Sequence, residues 1–358
     1  MYQLPTTLNN PNLKPEMTRS WEIGAELKFL NNRLGLDFTY YNKASKNQII
    51  PVAVSGASGY SFQVLNAGKI TNKGFELFLS AVPVRVKNIF DWTITANFAK
   101  NTNKVVELYP GIDNLQLGVG PFQISVNAKV GDEYGQLMGT DYIYDENGNK
   151  VVDSDGRYLK SGVKALGSVL PDWNMGIGNE FKLYGFDLRV LLDIQHGGNF
   201  FSTTKLWGTY TGILAETAEN GIRENGIVID AMAAAYDVDG NVIYNPDGTA
   251  QVTGANTTVL DGRTWCTDHY DGPAAQNILD ASYIKLREIT LSYTIPAKLT
   301  GPIQNLKIGL FGRNLATFGT AMVGIDPEQN NSSGNVQGIE GAGLPSTRTF
   351  GFNIGFNF

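Results

Sequence analysis

The chain is short of almost everything that would make it an ordinary soluble enzyme. Its 358 residues contain one cysteine, Cys266, and two histidines. A lone cysteine excludes an internal disulfide framework and leaves a cysteine-based metal site without ligands. No run approaches 18 consecutive apolar residues, which excludes a helical membrane span but not a span made of strands. Residues 1–15 carry neither a basic region nor an apolar core of the kind that directs secretion. Basic residues are scattered and the net charge is −6, so the stripe that nucleic-acid backbones demand is missing, and nucleic acid is not expected as a partner. Long-helix formers are sparse beside 41 glycines and 11 % aromatics. That balance favours strands and turns.

What is present is period-2 patterning in stretches of about ten residues, as expected where one face of a strand meets lipid and the other water. At the C-terminus Phe350, Phe352, Ile354, Phe356 and Phe358 alternate with Gly351, Asn353, Gly355 and Asn357. Ile23, Ala25, Leu27 and Phe29 oppose Glu22, Gly24, Glu26 and Lys28, and Leu34 to Tyr40 repeats the pattern. Further apolar faces run through Phe75–Leu79, Trp92–Phe98, Trp173–Leu183, Phe186–Ile194, Ile289–Ile295 and Leu306–Leu310, giving nine strands. Ile284 and Leu286 have the opposite parity from Ile289 and Leu291, which predicts a β-bulge near Arg287 or Glu288.

The connections alternate strictly between short and long. Asn31-Asn32, Val84 to Asn88, Tyr184-Gly185 and Pro296 to Asn305 are short, while residues 44–65, 101–170, 197–281 and 315–346 form long links. Tight turns on one rim and long loops on the other are the signature of an outer-membrane barrel. The expected fold is therefore all-β, an antiparallel transmembrane β-barrel. Residues 1–17 are expected to be a polar lead-in and residues 18–358 the barrel portion. Nine is odd, so an up-and-down sheet of this size does not close on itself, and further strands are expected before Met1. A soluble antiparallel sandwich shares the alternation but not the loop asymmetry.

The polar residues Glu26, Lys28, Glu76, Glu180, Lys182, Asp187, Arg189 and Asp193 are expected to face a wet lumen. Trp207, Tyr210, Trp265, His269 and Tyr270, all in one long link, are candidates for contact with a substrate or a partner lid, because aromatic rings stack on sugar faces; packing within the loop is the alternative. Trp265 to Tyr270 reads WCTDHY, too few ligands for a metal, and no cofactor is expected. The acidic DENGN, DSDG and DVDGN segments have calcium-loop composition but lack EF-hand spacing, and Asp-Gly and Asn-Gly favour small hairpins. Asp187 and Asp193 suggest a glycosidase pair only as a coincidence among 34 acids, and no nucleophile or phosphate-loop motif accompanies them, so no enzyme is expected. Trp21, Tyr40, Tyr41, Trp92, Trp173 and Tyr184 lie near strand ends as interfacial anchors would.

Several phrases resemble the SusC/RagA-like TonB-dependent outer-membrane receptors: NLKPEMTRSWEIGAELKFL (12–30), NNRLGLDFTYYNKASKNQI (31–49), NAGKITNKGFELFLSAVPV (66–84), PDWNMGIGNEFKLYGFDLRVLLDIQHGG (171–198), SYIKLREITLSYTIP (282–296) and the terminal Phe358. The resemblance implies the last nine strands of a barrel of about 22 in the outer membrane. It also implies import of an oligosaccharide or peptide, with a SusD-like lipoprotein over the external loops. The plug, the TonB-contacting segment and the extension domain of that family are not in this sequence, so contact with TonB would run through segments outside it, and the chain alone is not expected to transport.

Overall fold

A computed structural model describes residues 6–357 apart from 55, 67, 122–123, 322, 332–333 and 335. Phe358, expected to end the last strand, lies outside the described residues. Nine long strands form one sheet: β1 Met17–Phe29, β2 Leu34–Lys46, β3 Lys69–Val86, β4 Phe90–Glu107, β5 Trp173–Leu183, β6 Phe186–His196, β7 Tyr283–Thr294, β8 Gln304–Phe318 and β9 Thr349–Asn357. Each pairs antiparallel with the next in sequence, and among the described residues β1 and β9 do not pair with each other. The strands run further into the connections than the alternation alone indicates, since β2 reaches Lys46 and β4 reaches Glu107.

Register carries one apolar stripe across the first seven strands. Ala25 sits opposite Phe38, Phe38 opposite Leu77, and Leu77 opposite Phe98. Phe98 meets Met175, Met175 meets Ile194, and Ile194 meets Ile284. Rings stack along that stripe from Phe75 through Phe98 and Trp173 to His196, with centroids 5.1–5.5 Å apart. A second set lies near the short turns, where Trp92 stacks on Phe181 at 5.6 Å and Phe186 meets Tyr293 at 4.5 Å. An amide in the middle of this face, Asn179 opposite Ile94 and Val190, accepts a hydrogen bond from Trp92 Nε1 at 3.2 Å. That bond answers the cost of an unpaired polar group among apolar neighbours.

The bulge falls where expected. Leu191 pairs with Glu288 and Leu192 with Leu286, so Arg287 is the extra residue and the apolar face keeps its side across the change of parity. A second, unexpected bulge between Ala81 and Val84 contains Pro83, which has no N–H to give the ladder. Arg33 fills the gap by donating to Val82 O at 3.1 Å and Pro83 O at 2.9 Å.

The long connections fold into small sheets of their own. The lead-in is held rather than trailing: Thr7–Leu8 pairs with Phe62–Gln63, and Asn66 clasps Lys14 through both its amide atoms at 2.6 and 2.7 Å. The acidic segments are hairpin tips. Asp145 Oδ1 accepts from the N–H groups of Asn147 and Asn149 at 2.9 and 2.8 Å, and Asp153 and Asp237 repeat the arrangement. Hairpins from different connections interlock, since Val151–Val152 pairs with Met232–Ala233.

Candidate functional site

The polar face of the sheet is the first part of the site. Glu26 and Lys28 pair at 2.7 Å on β1, and Glu76 lies in register between Thr39 and Ala99. From β5 to β8 the charges alternate in sign. Arg189 bridges Glu180 at 2.8 Å and Asp187 at 3.3 Å, while Lys182 pairs with Glu180 and Lys307 with Asp187, both at 3.0 Å. Glycines make room for neighbouring strands on this face: a Cβ on Gly176 would fall 2.3 Å from Asn97 Oδ1. Asp187 and Asp193 share the face of β6 but stand six residues apart, about 20 Å along a strand. A glycosidase pair needs less than about 10 Å. They do not form one.

The second part was not read from the sequence. The last long connection turns back over the polar face and is clamped there by β7. Lys285, only 2 % exposed, donates to Asp326 at 2.6 Å and also to Glu328. Arg287 reaches Asp193 and Glu328, and Tyr283 Oη donates to Glu328 at 2.9 Å. Burial works against ionisation of Asp326, but Lys285, Ser346 and the Glu328 N–H outweigh it and hold its pKa at about 2. The only sequence signal was two cations, Lys285 and Arg287, straddling the parity break, with Asp-Pro-Glu far downstream.

The same connection has a second anchor. Ile339–Glu340 pairs with Phe201–Ser202 just before helix α1, Thr203–Tyr210. Glu340, 1 % exposed, accepts from Ser202 Oγ at 2.9 Å, Thr204 N at 3.0 Å, Thr204 Oγ1 at 2.8 Å and Ala342 N at 2.6 Å. A buried carboxylate with four donors at a helix start is fully satisfied.

Helix α1 packs on helix α2, Gly262–Asp271, and this contact sorts the five aromatic and histidine candidates. Trp207, Tyr210 and Tyr270 come together with centroids 5.3–6.0 Å apart and remain more than one-third exposed. Trp265 and His269 point the other way. Trp265 packs on the cluster of Val152, Ile229, Ala231 and Leu260, and His269 is buried, with Nδ1 3.4 Å from Trp265 O. Burial pushes the His269 pKa down, favouring the neutral ring. Cys266 is buried as well, and no group of three metal-ligating side chains occurs among the described residues. Helical spacing, four residues from Trp265 to His269 and four from Cys266 to Tyr270, was the available signal for this division.

The family described as TonB dependent receptor-like, beta-barrel matches residues 1–315. TonB-dependent receptor P3 of Formosa agariphila is 25 % identical over 99 % of this chain and 35 % of its own length. TonB-dependent receptor SusC of Bacteroides thetaiotaomicron is 24 % identical over 98 % of the chain and 32 % of its own. The chain thus spans about a third of the length of these relatives. Two solved structures share the fold: the RagAB peptide transporter, at TM-score 0.66 with 18 % identity over 97 % of this chain and 36 % of that one, and the RagAB peptide importer in its open-open state, at 0.66 with 17 % over 98 % and 35 %. These relatives are receptors and transporters rather than enzymes. With its antiparallel ladder, one apolar face and long loops on one rim, the chain belongs to the TonB-dependent receptor family, as part of the receptor's β-barrel.

Proposed function

We propose that these nine strands are an arc of the wall of an outer-membrane importer that takes up an oligosaccharide or a peptide. The observation that carries the reading is the broad apolar face of the ladder. Ile23, Leu310, Phe350 and Phe352 are each more than 60 % exposed on it. A soluble protein does not leave such a face to water, and lipid accepts it. Trp173 and Phe181, in the two aromatic sets, are eight residues apart on β5. That is about 26 Å along the strand, or about 20 Å along the membrane normal at a tilt near 40°. The spacing suits the outer-membrane hydrocarbon layer.

In this reading the alternating charges line a wet lumen, and the exposed trio Trp207, Tyr210 and Tyr270 stacks on the flat faces of substrate or on a SusD-like lipoprotein lid. TonB would act through segments outside this chain. A soluble glycan-binding protein is the rival, disfavoured by the apolar face.

The test uses the receptor at the full length its gene encodes, in cells with and without an energised inner membrane. Expected is uptake of a labelled glycan or peptide pool that collapses with the proton-motive force and falls roughly tenfold in the double variant Trp207→Ala/Tyr270→Ala, about the loss of two stacking contacts. A receptor recovered monomeric from buffer without detergent overturns the reading.

A further inference from the structure

The two rims of the sheet carry opposite charge. The long connections, residues 47–68, 108–172, 197–282 and 319–348, hold 23 acidic and 9 basic residues. The short turns with their flanks, residues 28–36, 83–92, 182–188 and 294–308, hold 7 basic and 2 acidic residues. In a chain of net charge −6 the turn rim is therefore a local cation.

A groove of about 680 Å³ lies on that rim, between the turns at 87–89 and 184–185. Tyr184 N donates to Ile89 O at 3.2 Å and docks one turn on the other. Arg85, Lys182 and Lys307 line the groove with carboxylates beside them, whereas Lys87 has no carboxylate partner among the described residues. Asp91 and Asp187 also line it, leaving four cations against two carboxylates, and Phe90, Leu183 and Phe186, the lower end of the apolar face, form its apolar wall. Cations over an apolar slope match a ligand with an anionic head and a hydrocarbon tail.

The turn itself is built at a cost. Tyr184 has φ 48° and Gly185 φ 90°, the left-handed pair of a two-residue hairpin whose first position suits asparagine far better than tyrosine. Tyr184 is also 67 % exposed. An exposed aromatic kept where it strains the backbone is explained by something it touches.

Resting on the membrane orientation proposed above, we infer that this groove seats one anionic phospholipid of the inner leaflet. Its phosphate lies at Lys87 in the turn, its glycerol region at Tyr184, and an acyl chain runs along Leu183 and Phe186. Net positive charge selects an anionic head over a zwitterionic one, and the apolar wall selects a lipid over free phosphate.

The experiment is native mass spectrometry of the full-length receptor released from micelles holding equal amounts of phosphatidylglycerol and phosphatidylethanolamine. Expected is retention of one phosphatidylglycerol, lowered roughly fivefold by Lys87→Gln, the equivalent of one cation at an anionic surface. Tyr184→Asn is expected to lower retention while leaving the melting temperature equal or higher, since asparagine fits the turn. Glycerol phosphate in solution should not compete. Equal retention of both lipids, competition by glycerol phosphate, or no loss in either variant overturns the inference. A receptor that inserts into vesicles yet retains no anionic lipid overturns this inference alone, whereas one that stays in the aqueous phase overturns the membrane reading as well.

Discussion

An ammonium group 2 % exposed has given up nearly all its water, and Lys285 recovers the lost interactions from Asp326 and Glu328. Removing one partner of such a buried pair strands the other. Asp326→Asn is therefore expected to cost about 3 kcal/mol, read as a lower melting temperature and faster proteolysis within residues 319–348. The pH dependence has a definite sign. Asp326 titrates at about 2, below its ordinary 3.8, so its contribution is complete above pH 3.8 and disappears as pH falls through about 2. Asp268 behaves oppositely. Burial, only partly offset by Arg157 at 3.8 Å, raises it from 3.8 to about 6. Its contribution is complete below pH 3.8 and lost as pH rises through about 6. Asp268→Asn, which keeps the neutral form, should raise the melting temperature at pH 7.5 and leave it nearly unchanged at pH 4, by thermal melts at both. Neither behaviour was visible in the sequence, because both depend on partners brought from distant segments.

Strands reveal themselves through local alternation, and all nine were readable for that reason. The bulge at Arg287 was readable too, because it flips the parity of Ile284 and Leu286 against Ile289 and Leu291. A similar flip, Leu79 and Ala81 against Val84 and Val86, stands upstream, at the residues that lead into the short Val84 to Asn88 connection. The two faces of a strand are expected to respond differently to the same substitution. Ile177, midway between Trp173 and Phe181 on the apolar face, should lose about 3 kcal/mol as Ile177→Arg. Thr290→Arg, on the polar face beside Glu288, should lose less than about 1 kcal/mol. Equilibrium unfolding in detergent checks both, and equal losses would contradict the assignment of faces.

Across the whole molecule, the order of the sheet and the division of its rims followed from the sequence, since every strand pairs with its neighbour in the chain. The architecture of the long connections did not. Their hairpin tips are local and could be predicted from Asp-Gly and Asn-Gly, but the pairing of Val151–Val152 with Met232–Ala233 joins segments some 80 residues apart. Nor does alternation report helices, so treating residues 197–281 as loop concealed the fact that Trp265 and His269 face inward while Trp207, Tyr210 and Tyr270 cluster outward.

One buried cluster draws on three of these connections: Ile124, Val126 and Leu137 from the second, Phe201, Leu206 and Ala274 from the third, and Ile339 from the fourth. Short turns let β-hairpins form early, whereas contacts between distant segments wait for loop closure. The cluster can therefore consolidate only after β8 has been laid down and the connection bearing Ile339 and Glu340 has reached it. Burial of Glu340 is then a late step in the folding of these connections, and a chain stalled before it is left with an unfilled hydrophobic hollow.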